Sequence, residues 1–122
     1  MSEEILEKIM KAVGKPVEFR YPGNEGTQRG RLIDRAIIVP SNPVDGVPYW
    51  DVVDLIEFQK ETAKCIRVGY YRKKDHLRWG SQTTIVEPVA MWKRILVETA
   101  RKKKWFHDLL DDVMAELRKG AV

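Results

Sequence analysis

The sequence predicts an α+β fold: a five-stranded, strongly bent antiparallel sheet or SH3-like barrel, with a short N-terminal helix and one or two C-terminal helices. Three observations carry this expectation. The middle of the chain alternates apolar and polar residues with a period of two, in five runs separated by short turn segments. Both ends instead space their apolar residues by three or four. The length of 122 residues matches one domain with one core. The expected organisation is a single domain, 1–122, made of a helix (1–14), the sheet or barrel (15–87) and a helical segment (88–119).

Taking the elements in order, Ile5, Met10 and Val13 suit an amphipathic helix from about Glu3 to Val13, and Gly14 fits the left-handed position that ends one. Val17, Phe19 and Tyr21 alternate with Glu18 and Arg20 as in a half-buried strand. Pro22, Gly23, Asn24 and Gly26 then turn the chain. From Gln28 to Val39 alternation places Ile33, Ile37 and Val39 on one face and Leu32, Ala36 and Ile38 on the other, and Pro40 ends the run. Ser41 to Pro48, with Asp45-Gly46, reads as a loop.

Tyr49 to Phe58 carries two patterns. Asp51, Asp54 and Glu57 recur every three residues, but the β-branched and aromatic content favours a strand, whose one face is then Trp50, Val52, Asp54, Ile56 and Phe58. Ala63 to Tyr71 is a further strand, with Ile66, Val68 and Tyr70 opposite Cys65, Arg67 and Tyr71. Lys73 to His76 form a hairpin loop, and Leu77 to Val86 the returning strand. Pro88 suits a first helical turn. Trp92, Leu96, Thr99, Phe106, Leu110, Val113 and Leu117 then keep helical spacing, interrupted by Arg101 to Lys104, so two helices are favoured over one.

Composition narrows the function classes. With 43% hydrophobic and 33% charged residues the chain is globular rather than disordered. No apolar run approaches the roughly twenty residues of a membrane span, and the acidic start Met1-Ser2-Glu3-Glu4 is unlike a secretory signal. Cys65 is the one cysteine, which excludes an internal disulfide and a thiolate metal cluster and fits a reducing, cytoplasmic setting. The net charge of +4 is unevenly spread. Residues 41–62 carry Asp45, Asp51, Asp54, Glu57 and Glu61 against Lys60. Residues 63–80 carry Lys64, Arg67, Arg72, Lys73, Lys74 and Arg78 against Asp75, and residues 88–104 carry Lys93, Arg94, Arg101, Lys102, Lys103 and Lys104 against Glu98.

The order Glu18-Phe19-Arg20-Tyr21, a Gly-rich turn, a strand ending at Pro40, and then Tyr49-Trp50-Asp51-Val52-Val53 resembles the WYL-type small barrels of bacterial and phage-defence regulators. The resemblance covers about residues 15–72. It implies a small β-barrel associated with ligand or nucleic-acid sensing. The aromatic pair here is Tyr-Trp followed by Asp rather than Trp-Tyr-Leu, and no functional residue is carried over.

No motif specifies a reaction, so no catalytic residue, metal or cofactor is expected. His76 and His107 stand alone, and of Asp51, Asp54 and Glu57 only Asp51 and Glu57 share a strand face, which favours a solvated acidic edge over a Mg²⁺ site. Cys65 lies among Ile66 and Val68 as a small buried residue rather than an activated thiolate. Asp54 places a carboxylate on an apolar face, where it needs a partner such as Arg35 or Arg67. A structural ion pair there outranks an enzyme using Asp54 and Arg67 in a pocket.

The strongest functional signal is the run Tyr70 to Trp79, a basic hairpin flanked by aromatics. Lys and Arg neutralise phosphates and aromatic rings stack on unpaired bases. Tyr71, Arg72, Lys73, Lys74, Arg78 and Trp79, with Arg101, Lys102, Lys103 and Lys104 as a second patch, form the candidate site for RNA or DNA. Tyr70 and Tyr71 point to opposite faces, so they cannot both stack on one ligand. The alternative is a protein-interaction or assembly module, including a homo-oligomer, because an acidic segment is separated from two basic ones.

Overall fold

The computed structural model describes residues 2–20, 27–39, 47–59, 63–73, 75–80 and 85–120. The expected turns at 22–26 and 41–46 and the loop residue Lys74 lie outside the described residues. The chain divides into two compact units, 1–85 and 86–122. The fold is α+β, with five antiparallel strands in a strongly curled half-barrel.

The first unit begins with α1 (Ser2–Met10). Its buried side runs through Ile5, Leu6 and Ile9 and continues beyond the helix into Ala12 and Val13. Met10 departs from the expected stripe and is exposed, because it sits one residue past the line that Leu6 and Ile9 define. Gly14 adopts φ 88°, the left-handed region that its lack of a Cβ permits. Its N–H donates to the Leu32 carbonyl at 2.7 Å, which brings the chain into the sheet.

Strands β1 (Pro16–Arg20), β2 (Thr27–Ile38), β3 (Tyr49–Phe58), β4 (Lys64–Lys73) and β5 (Leu77–Trp79) form an open antiparallel meander in sequence order. The fifth strand is shorter than the expected Leu77 to Val86: residues 81–84 lie outside the described set and 85–88 have no regular structure. In β2 the register slips, with Leu32 opposite Ile56 but Asp34 opposite Leu55. Ile33 is the inserted residue of a β-bulge. The bulge overturns the expected face assignment, since Leu32, Arg35 and Ile37 share one face and Ala36 and Ile38 lie on the other.

The face carrying Trp50, Val52, Asp54, Ile56 and Phe58 is the one that α1 covers. Two apolar clusters fill it. Ile9, Trp50 and Val52 gather Ile5, Leu6, Ile37, Tyr71, Leu77 and Trp79 at one end. Leu32, Ile56 and Phe58 gather Ala12, Val13, Val17, Phe19 and Cys65 at the other. Close aromatic packing tightens the hairpin: a Cβ on Gly69 would overlap the Trp79 indole, and one on Gly80 would overlap the Tyr70 ring.

The second unit holds α2 (Val89–Lys102) and α3 (Lys104–Gly120). Pro88 is the N-cap rather than a first-turn residue, with φ −57° and ψ 152°, and its carbonyl accepts from the N–H groups of Met91 and Trp92. Lys103 turns extended, at φ −130° and ψ 117°, and separates the two helices. Ile95, Thr99 and Phe106 are buried. The Thr99 hydroxyl donates to the Ile95 carbonyl at 2.6 Å, which satisfies a polar group inside an apolar setting. Leu96, Val113 and Leu117 depart from the expected core stripe and are exposed.

Candidate nucleic-acid interface

Asp54 is fully buried and stands between Arg35 of β2 and Arg67 of β4, its direct cross-strand neighbours. Arg35 Nε donates to Asp54 Oδ1 at 2.6 Å and Nη2 to Oδ2 at 3.0 Å. Arg67 Nε and Nη2 donate to Oδ2 at 3.1 and 2.9 Å. Both arginines anticipated as partners are therefore engaged at once. The row divides the two apolar clusters, and it is the bulge at Ile33 that brings Arg35 into it.

Arg35 also donates through Nη1 to the Ile9 carbonyl at 2.8 Å and to the Tyr71 hydroxyl at 2.7 Å. One side chain thus joins α1, β2, β3 and β4. Burial lowers the pKa of its guanidinium, but the hydrogen bonds and charge of Asp54, with those of Tyr71, leave it raised above the ordinary value. Trp79 lies within 5.6 Å of the Arg35 guanidinium and 4.8 Å of the Arg67 guanidinium, and Phe19 covers Arg67 at 5.4 Å. These are cation–π contacts inside the fold. A carboxylate that accepts four N–H bonds from two cations is a structural anchor, and none of the buried side-chain polar atoms among the described residues lacks a partner.

The expected site residues fall into three groups. Tyr71 and Trp79 are on the α1-covered face, half-buried, 5.0 Å apart, and occupied with the arginine row. Arg72, Lys73 and Arg78 are exposed on the hairpin, and Lys74 lies outside the described residues. Arg101, Lys102 and Lys104 are exposed in the second unit, while Lys103 is half-buried at the break between helices. Lys104 pairs with Asp108 at 2.7 Å, whose hydrogen bond and charge raise the ammonium pKa above its ordinary value.

The face of the hairpin opposite α1 was not resolved by sequence pattern. Arg72 and Arg78 are direct cross-strand partners, two like charges held side by side. They line a surface depression with Asp75 and His76, and Arg78 Nε donates to His76 Nε2 at 3.0 Å. Tyr49 is the partner of Arg72 across β3 and β4; the Arg72 guanidinium lies 5.9 Å from its ring. Tyr70 meets Tyr49 edge to face at 5.6 Å. The aromatics that share a face with Arg72 and Arg78 are therefore Tyr49 and Tyr70, while Lys73, opposite Leu77, is on the face of Tyr71 and Trp79. Alternation correctly split Tyr70 from Tyr71, but only knowledge of the face that α1 covers says which one joins Arg72.

Carboxylates offer little for a metal. Asp51 and Glu57 are six residues apart on one strand, about 20 Å, too far to share an ion. The one grouping among the described residues within ligating reach of a common point is His107, Asp108 and Asp111, all exposed, and Asp108 already holds Lys104. No described helix is long and apolar enough to cross a membrane. No family model matches the chain, and no match is found among the curated proteins or the solved structures.

Proposed function

We propose that the protein binds single-stranded RNA or DNA through the outer face of the β4–β5 hairpin, as a non-enzymatic binding or regulatory module. The observation that carries this reading is the Arg72–Arg78 cross-strand pair. Like charges directly opposite on a sheet destabilise it, and a phosphate between them turns that repulsion into two charge-assisted hydrogen bonds. Tyr49 and Tyr70 offer aromatic surface beside the pair for an unstacked base. The Arg67–Asp54 pair joins β3 to β4 in the same register that sets Tyr49 opposite Arg72.

The test is fluorescence anisotropy with labelled single-stranded oligonucleotides at several salt concentrations. Contacts from Arg72 and Arg78 to two phosphates give a slope of log affinity against log salt near about −1.4, or about sevenfold weaker binding between about 50 and 200 mM salt. Arg72→Ala and Arg78→Ala each reduce the magnitude of the slope by about 0.7. Undetectable binding at low salt, or binding indifferent to salt, overturns the proposal.

A further inference from the structure

His76 sits where the hairpin turns into β5, two residues before Arg78, so the period-two alternation sets both side chains on the outer face. Both are exposed. Arg78 Nε donates to His76 Nε2 at 3.0 Å. A protonated imidazole has no lone pair with which to accept, so this bond is made by neutral His76 with its proton on Nδ1. In that state the imidazole occupies the Arg78 Nε–H, one half of the fork with which an arginine grips a phosphate. His76 and a phosphate therefore compete for the same donor.

Protonation reverses the contact. Both ring nitrogens then donate, and the Nε2–H meets a guanidinium N–H instead of accepting from it. The imidazolium turns from Arg78 and frees its Nε. Among the described residues, the charged groups that share the depression with His76 are Arg72 from β4, Arg78 from β5 and Asp75 from the turn. Lys73, opposite Leu77, lies on the other face. A phosphate seated there is then met by three cations and one carboxylate in place of two cations and one carboxylate. A proton on His76 tightens phosphate binding, and bound phosphate favours the proton by the same factor, as linked equilibria require.

We propose that His76 is an acid-responsive switch on the hairpin site: neutral, it ties up Arg78; protonated, it releases Arg78 and joins Arg72 and Arg78 as a third cation for the phosphates of a single strand. The switch rests on the hairpin face being the nucleic-acid site. It adds a dependence on pH that the two arginines, charged throughout the range in which histidines titrate, do not supply.

The test is fluorescence anisotropy with a rhodamine-labelled oligothymidylate that lacks a terminal phosphate, so that neither its bases nor its ends titrate in the range used. Between about pH 8 and about pH 5.5 the full chain gains about fivefold in affinity. The slope of log affinity against log salt grows by about 0.7 in magnitude over the same interval. His76→Gln keeps an acceptor for Arg78 but takes up no proton, so its affinity is equal at the two pH values. His107→Gln, which changes the other histidine of the chain, keeps the full pH response. Both substitutions are at exposed side chains, and circular dichroism checks that each variant folds. Salt-sensitive binding of equal strength at both pH values overturns the switch and leaves the hairpin site standing. A pH response that survives His76→Gln, or is lost in His107→Gln, also overturns the switch. Binding at neither pH overturns the switch and the hairpin site together.

Discussion

Asp54→Asn is the substitution whose cost the structure fixes most sharply. The asparagine keeps the shape but removes the charge, and it turns one acceptor oxygen into an amide that donates towards donors. Arg35, with a side chain 1% exposed, is then a cation held inside the fold with no counter-charge. Arg67, at 21%, can swing towards water. Breaking a buried pair from one side costs about 3–5 kcal/mol, and that range applies here because Arg35 has no route to solvent. With a urea m-value of about 1.5 kcal/mol/M, the unfolding midpoint falls by about 2–3 M. Arg67→Ala leaves the two-bond Arg35–Asp54 pair intact and costs about 1–2 kcal/mol. Replacing both central partners, Arg35→Met with Asp54→Leu, recovers part of the loss, since the fully buried cation is gone and Arg67 can turn to water, while the Ile9 carbonyl and the Tyr71 hydroxyl lose their donor. Urea titration followed by tryptophan fluorescence measures all three. A loss for Asp54→Asn of under about 1 kcal/mol, or one no larger than that for Arg67→Ala, refutes the reasoning.

Three further substitutions probe other parts of the fold. Gly69→Ala drives a Cβ into the Trp79 indole and costs about 1–3 kcal/mol, with a change in tryptophan emission as the ring is displaced from the two guanidiniums. Gly14→Ala meets no atom within 4 Å but must hold φ 88°, so thermal melting reports a loss of about 1–2 kcal/mol from backbone strain alone. Thr99→Val keeps the side-chain shape while removing the hydroxyl that bonds Ile95, and it lowers stability by about 1 kcal/mol in chemical denaturation.

Much of the sheet was legible because strands have a period of two and turn residues punctuate them. Tyr49 to Phe58 read correctly as a strand despite its three-residue acidic repeat, since β-branched and aromatic side chains outweighed the spacing. Asp54 announced its own partners: a carboxylate on an apolar face requires cations, and the neighbouring strands offer Arg35 and Arg67. Val113 and Leu117 were legible as helical residues but not as exposed ones, because apolar spacing is the same whether those side chains are buried or in water. The choice between Tyr70 and Tyr71 was closed to sequence for a similar reason, because alternation divides residues between faces without saying which face a distant helix will cover.

The bulge at Ile33 shows how one residue can decide the chemistry of a whole face. Had the register from Leu32 and Ile56 continued without an insertion, Asp34 would stand opposite Asp54. Two carboxylates would then share the apolar face, and Arg35 would be turned to the other side. The inserted residue exchanges that repulsion for the Arg35–Asp54 pair. Asp34 contributes to the same device, since its Oδ1 accepts the Arg35 backbone N–H at 2.9 Å, satisfying an amide beside the point where the ladder is broken. The β2 sequence Ile33-Asp34-Arg35 therefore places a carboxylate to serve the backbone and a guanidinium to serve the interior. The same row bridges β3 to β4 through Arg67, in the register that sets Arg72 beside Tyr49.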